Sequence, residues 1–262
     1  MTERRIVASK LREILGEKGW AVAPERVSAD LVEGCRRDLD NAYRVCRALQ
    51  IRNGVERNTD GTVHHVVDLG DHFLRLLETL PILDVAGEYF GGKFILNSYG
   101  GVFNLPGSTP YVGKVHRDVR SFTGGLPLML NVLIMLDDFT LENGATYLME
   151  GSHRAADRPT DERFFAQAVR TVGEPGTVVV FDSNLWHAAG VNHTAIPRRA
   201  LTLTLTPPYL KQQCDYPRLM AARIGGLSDS LRQLLGDYAR IPVSLDEWYQ
   251  PAEKRPYRPD QG

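Results

Sequence analysis

Apolar positions recur at helical spacing early in the chain and give way to alternating or continuous runs further on. Residues 5–15 carry Ile6, Leu11, Ile14 and Leu15 at roughly helical spacing, with Gly16 and Gly19 as stops, which predicts a first helix. GWAVAP at 19–24 reads as a short strand. Ser28 is placed to cap a second helix, SADLVEGCRRDLDNAYRVCRALQ, with Leu31, Cys35, Leu39, Ala42 and Val45 or Cys46 on one face. The polar stretch RNGVERNTDGTVHH reads as a loop able to cover a site, and DHFLRLLETLPILDVAGEYFG as a third helical region.

From Lys93 the period changes. KFILNSYGGVFNLPG, PYVGKVHRDVRSF, LPLMLNVLIMLDDF, GATYLMEGSH, GTVVVFDSNLWHAAG and RRALTLTLTPPYL are apolar or alternating runs separated by Gly, Pro, Asn and Asp clusters. Six such runs after flanking helices predict a mainly β fold, a double-sheet jelly roll or barrel. LSDSLRQLLGDY through SLDEWYQP then returns to helix before a proline-containing tail. No internal repeat or domain linker interrupts the order. The expected layout is one domain over residues 1–262: a helical part to residue 92, a β core over about 93–210, and a C-terminal helical segment and tail over 211–262.

Composition narrows the partners. Hydrophobic residues make up 43% of the 262, enough for a sizeable core. Lys and Arg number 31 against 32 Asp and Glu, so no global field attracts nucleic acid or an acidic membrane, and a small-molecule partner must be recognised locally. Oligomeric state is not legible. Cys35, Cys46 and Cys214 are odd in number and lack CxxC spacing, which argues against a disulfide framework or a zinc knuckle and for a reducing cytoplasm. The opening MTERRIVASKLREILGEKGW is broken by charge and does not read as a signal peptide, and no run nears the ~18 apolar residues of a membrane span.

The segment VHRDVR at 115–120 carries the first chemistry. Its HRD triplet matches the protein-kinase catalytic loop, but Thr123 stands where that loop has Asn, DDF at 137–139 lacks its Gly, and no GxGxxG precedes. Strand alternation offers another reading: His116 and Asp118 point one way and Arg117 the other. Two ligands cannot hold a metal alone, and a 2-His-1-carboxylate iron site needs a third from elsewhere. His64 and His65 sit in the polar loop, His72 opens a helix, His153 closes a turn and His193 lies in another. His187 alone follows a buried-looking strand, with small residues after it; in isolation such a His is more often a packing residue than a ligand, and its weight comes from the combination. Eleven residues on, the strand RRALTLTLT divides into a packing face of Arg199, Leu201, Leu203 and Leu205 and a small polar face of Arg198, Ala200, Thr202 and Thr204. Arg198 is either a solvated edge residue or a guanidinium able to grip a carboxylate in two-point fashion.

The HRD segment, LNVLIMLDDFTLENGATYLMEGSHR at 130–154, WHAAGVNHT and the Arg eleven residues after its His together resemble the phytanoyl-CoA dioxygenase family of Fe(II)/2-oxoglutarate-dependent oxygenases. The likeness runs from near Lys93 to about Leu205, and GWAVAP with its helix resembles the family's opening. It implies a double-stranded β-helix (jelly roll, cupin-like), His116, Asp118 and His187 as iron ligands, Arg198 on the distal carboxylate of 2-oxoglutarate, and O₂ as cosubstrate. EGSH replaces the PGSH common in the family, which alters a turn and not a ligand. Ala189 stands where some members place a hydroxyl, a role open to Thr202 or Thr204. Asp118 argues for oxygen chemistry, because related halogenases lack this carboxylate. Asn131, the sole polar residue in LPLMLNVLIML, either satisfies the sheet backbone or faces the cavity toward 2-oxoglutarate or substrate; Asn104 and Tyr99 are candidates of the same kind. The expected reaction is hydroxylation of a small molecule, with desaturation, epimerisation or ring formation as alternatives on the same site, and a non-catalytic cupin-like binding module as a reading from another class. Arg120 shares the face of His116 and Asp118, and with Arg52, Arg57 and Arg223 it points to a lid over an anionic substrate.

Overall fold

The computed structural model describes residues 3–57, 59–107 and 113–261. Two antiparallel sheets form the centre. Strands β1 (Trp20–Val22), β2 (Thr62–His64), β3 (Ile95–Asn104), β4 (Leu130–Met135), β5 (Thr146–Leu148), β6 (Val169–Thr171), β7 (Val178–Asp182), β8 (His187–Ala188) and β9 (Arg198–Thr206) are arranged as β1-β7-β4-β9-β3-β2 and β6-β5-β8.

Alternation along these strands builds two different faces. Leu201, Leu203 and Leu205 of β9, Val132 and Ile134 of β4, and Val178 and Val180 of β7 point outward into the larger core. That core is closed by α1 (Glu3–Lys18), α2 (Ala29–Arg52), α3 (Asp71–Thr79) and α4 (Leu83–Phe90), through Leu11, Leu15, Cys35, Leu39, Phe73, Leu77 and Val85. Each fully buried Leu contributes roughly 1.5–3 kcal/mol, so this helical layer stiffens the six-stranded sheet from behind. The opposite face turns toward the small sheet, where Leu133, Met135, Val179, Phe181 and Ala200 pack with Leu148 and Leu185.

Local chemistry sets several boundaries. Gly16 continues α1, and the chain turns at Gly19, whose φ of +84° suits glycine. A Cβ there would also lie 2.4 Å from His153 Nδ1. Ile6 is 56% exposed, so the buried stripe of α1 runs through Ala8, Leu11 and Leu15 instead. In α2, Cys46 packs against the core and Val45 is exposed. Ser28 occupies the N-cap position with extended backbone, but its side chain makes no capping hydrogen bond. Pro81 divides the third helical region into α3 and α4 because it lacks an amide hydrogen for the helix ladder.

Three expectations need correction. The run 110–122 is not a regular strand: Pro110, Tyr111 and Val112 lie outside the described residues, and His116 meets β8 only through an isolated bridge to His187. The polar stretch 52–65 contains β2, which adds an edge strand to β3 with His64 opposite Gly100. Residues 155–175, given no element above, form α5 (Asp161–Gln167) and β6. Beyond β9, α6 (Tyr216–Leu219), α7 (Asp229–Leu234) and α8 (Leu245–Trp248) are short; α6 and α7 seat Tyr216, Leu231 and Leu234 in the larger core. No helix of the described residues is long and apolar enough to cross a membrane.

Candidate metal and cosubstrate site

Backbone hydrogen bonds bring the HRD segment against β8. His116 and His187 exchange both amide bonds, at 3.0 and 2.9 Å, and the Asp118 amide donates to the Ser183 carbonyl at 3.1 Å. These bonds keep the segment locally extended, so His116 and Asp118 face the cavity while Arg117 turns away. The Arg117 guanidinium stacks over Trp186 at 4.9 Å and donates to the Ala156 carbonyl.

Ligand atoms from His116, Asp118 and His187 all lie within 4.8 Å of one another. Each imidazole Nε2 is 3.7 Å from a carboxylate oxygen of Asp118. The opposite ring nitrogens are occupied: His116 Nδ1 faces the Lys114 carbonyl at 2.7 Å and His187 Nδ1 the Leu185 carbonyl at 2.9 Å. A carbonyl can only accept, so each Nδ1 carries the proton and each Nε2 presents a lone pair to the shared centre. Burial, reinforced by the neighbouring His187, holds His116 down to about 4, and the neutral ring is the form that binds a metal. Phe181 packs edge-on against His187 with centroids 4.9 Å apart.

Two turns hold this geometry. The Ser152 hydroxyl accepts from the Trp186 amide at 3.0 Å, immediately before His187. Gly144 (φ +82°) presses on the Gly190 backbone so closely that a Cβ would come within 2.3 Å of the Gly190 carbonyl oxygen. The ENG and GSH segments therefore contact the chain on either side of β8, which their spacing in sequence could not reveal.

The triad opens into a cavity of about 740 Å³, and Arg198, Thr202, Thr204, Asn131 and Arg120 line it too. Arg198 is 3% exposed, with its ring-like fork 3.7 Å above the Phe139 ring. Its Nε and Nη1 have no hydrogen-bond partner. Burial pulls the guanidinium down to about 9, a penalty on its charge rather than loss of the proton, which a guanidinium retains. A buried cation of this kind is satisfied by an anion entering the cavity. Asn131, 2% exposed, likewise has neither amide atom paired, so it faces the cavity and does not serve the sheet backbone. Thr204 is bonded to Ser98 across the strands at 2.7 Å, leaving Thr202 the less committed of the two hydroxyls.

Other candidates fall elsewhere. Asn104 donates to the Asn143 and Gly190 carbonyls and ties two loops together. Tyr99 is fully buried on the helical side against Phe73. Arg223 is paired with Asp68 and Asp71, and Arg52 and Arg57 do not reach the cavity. Of the four arginines expected over the substrate, Arg120 alone lines it. His64 and Lys114 also line it, and neither was singled out as a cavity residue by its sequence context.

The family model described as Phytanoyl-CoA dioxygenase (PhyH) matches residues 15–200. The chain belongs to the phytanoyl-CoA dioxygenase family. It is 31% identical over 271 residues to the uncharacterized protein Rv1501 of Mycobacterium tuberculosis, an alignment covering 99% of this chain and 98% of that one. Dioxygenase trt7 of Aspergillus terreus is 32% identical over 212 residues, 74% of this chain and 72% of that protein. EctD from S. alaskensis, whose crystal structure holds 2-oxoglutarate and 5-hydroxyectoine, shares the fold with a TM-score of 0.65 over 79% of this chain and 78% of that one, at 22% identity. As a member of the phytanoyl-CoA dioxygenase family, the chain is a non-haem dioxygenase whose cofactors are Fe(II) and 2-oxoglutarate. The site suits both: two imidazoles and a carboxylate form a facial donor set, and an unpaired buried guanidinium faces the same cavity.

Proposed function

We propose that this chain hydroxylates an unactivated C–H bond of a small-molecule metabolite, releasing succinate and CO₂. In this reading His116, Asp118 and His187 hold Fe(II), and Arg198 receives the distal carboxylate of 2-oxoglutarate. Asn131 and Thr202 complete the cosubstrate's surroundings. The observation that carries it is the Arg198 guanidinium, buried without a partner in the cavity that the His-Asp-His triad also faces. The paired sheets are read as the double-stranded β-helix, which sets both groups between its layers.

When bound, iron, 2-oxoglutarate and O₂ supply the oxidising chemistry. The protein's own contribution is positional. The Lys114 and Leu185 carbonyls fix the tautomer and direction of both imidazoles. Asp118 would supply the negative ligand beside the two neutral imidazoles, a donor set suited to iron that also binds a cosubstrate and oxygen. Leu133, Phe181 and Ala200 form an apolar wall that excludes water beside Arg198 and strengthens its grip on a carboxylate.

The test is succinate release by the purified chain with Fe(II), 2-oxoglutarate and O₂ across a metabolite panel, with mass analysis of the product. Hydroxylation adds about 16 mass units; a loss of about 2 identifies desaturation instead. Succinate release that persists unchanged in Asp118→Ala refutes the ligand set.

A further inference from the structure

The cavity is larger than the triad and Arg198 require, and its remainder has a chemical character of its own. Pairing across the large sheet sets Phe181, Asn131, Thr204 and Ser98 in one row, and Leu133, Thr202, Gly100 and His64 in the next. The triad borders the Phe181 end, through the contact of that ring with His187. Arg198 lies toward the apolar cluster around Phe139. What remains is a floor running from β4 to β2, about 14 Å across at the usual strand spacing. It carries hydroxyls, an imidazole and bare glycine backbone, and Val63, Val102 and Met129 also line the cavity. A Cβ on Gly100 would lie 2.5 Å from the Val63 carbonyl oxygen, so the floor stays open there.

Charge gives this space a direction. Among the described residues of the lining Asp118 is the one carboxylate, against Lys114, Arg120 and Arg198. On the reading above, the charges of Fe(II), Asp118, 2-oxoglutarate and Arg198 cancel. Lys114 and Arg120 are left over, both exposed and neither with a side-chain hydrogen bond or ion pair to a described residue. This sets them apart from Arg199, Arg223 and Arg232, each of which is paired with Asp. Two uncompensated cations flanking the His116–Asp118 segment raise the local concentration of anions and bind them when loaded.

We infer that the substrate is a small molecule with an anionic head group, a carboxylate or phosphate monoester, held by Lys114 and Arg120 at the cavity mouth while its body lies on the Ser98, Thr204 and His64 part of the floor. The inference rests on the proposed cofactor site. Lys114 and Arg120 are specificity-determining groups: they hold one end of the substrate and so select which C–H bond lies beside the triad.

The test uses the full chain loaded anaerobically with Fe(II) and 2-oxoglutarate, whose visible charge-transfer band certifies the complex. Phenyl phosphate, benzoate and neutral benzyl alcohol are titrated in, with binding followed by calorimetry and by perturbation of the band. At least one anion is expected to bind roughly tenfold or more tightly than benzyl alcohol, and less tightly as salt rises. The Lys114→Met/Arg120→Met double variant is expected to keep the band and lose the preference, and Arg120→Lys in the Lys114→Met background to regain part of it. Which anion binds separates carboxylate from phosphate recognition. Anions that bind no better than the alcohol, or a preference that survives in the double variant, overturn the inference. A wild-type chain that forms no band refutes the cofactor site instead, and the inference falls with it for that identifiable reason.

Discussion

Replacing Arg198 by methionine should move two quantities in opposite directions. In the ligand-free protein the guanidinium is 3% exposed, its Nε and Nη1 are unpaired, and burial lowers it to about 9. Its charge therefore works against the folded state, offset in part by the Phe139 ring 3.7 Å away, a contact worth about 2 kcal/mol when desolvated. Methionine has similar reach and no charge, so the ligand-free variant should be as stable as the parent or more stable by up to about 2 kcal/mol. Binding goes the other way. Losing one member of a buried charged pair costs about 2–5 kcal/mol, and every 1.4 kcal/mol is tenfold, so 2-oxoglutarate should dissociate roughly 30- to 4,000-fold more readily. Thermal unfolding with and without 2-oxoglutarate, together with calorimetric titration in the presence of Fe(II), reads both. A variant that binds 2-oxoglutarate within threefold of the parent refutes the role of Arg198. A ligand-free variant destabilised by more than about 2 kcal/mol shows that the guanidinium is a structural group after all.

Asn131→Leu should raise ligand-free stability by about 1–3 kcal/mol, the penalty of an unpaired buried amide, while raising the KM for 2-oxoglutarate or substrate; a loss of stability would show that the amide serves the sheet. Gly144→Ala forces a side chain onto a φ of +82° and against the Gly190 carbonyl, so it should cost about 1–3 kcal/mol or more and weaken Fe(II) binding through the displaced β8 segment, measured by unfolding and metal titration. Asp118→Ala should abolish succinate release and weaken Fe(II) retention, read by product assay and metal analysis of the purified protein. Burial holds His153 below its ordinary value, as it does His64, His65 and His116, so the unfolded chain takes up protons there before the folded one does; stability should fall as pH drops below about 6.5, and His153→Phe should reduce that slope in a thermal profile between pH 7.5 and 5 without abolishing it.

Much of the site was legible because it rests on alternation, a property carried by consecutive residues. His-x-Asp separates His116 and Asp118 from Arg117 even though 113–122 forms no regular strand, since bonds to β8 and Ser183 keep it extended. The inward face of β9 follows from the same rule, and its register opposite β3 and β4 leaves Arg198, Thr202 and Thr204 on the cavity. Asn131 stood out by its polarity within an apolar run, but whether its amide met backbone or cavity depended on neighbours from other strands.

What the chain determined alone was period: which segments wind, which extend, and which side chains share a face. Convergence belonged to the tertiary structure. β2 hid in a polar stretch because an edge strand with one short ladder needs little apolar surface, and only its pairing with Gly100 puts His64 on the cavity floor. Lys114 and Arg120 resemble any solvated cations until the fold places them on a cavity where Asp118 is the one carboxylate among the described residues. Arg199 and Arg198 are adjacent and chemically identical, yet one is ion-paired with Asp137 and the other is buried with its Nε and Nη1 lacking a hydrogen-bond partner. The reason is physical: charge compensation and burial are set by contacts between residues distant in the chain, and local pattern does not encode them.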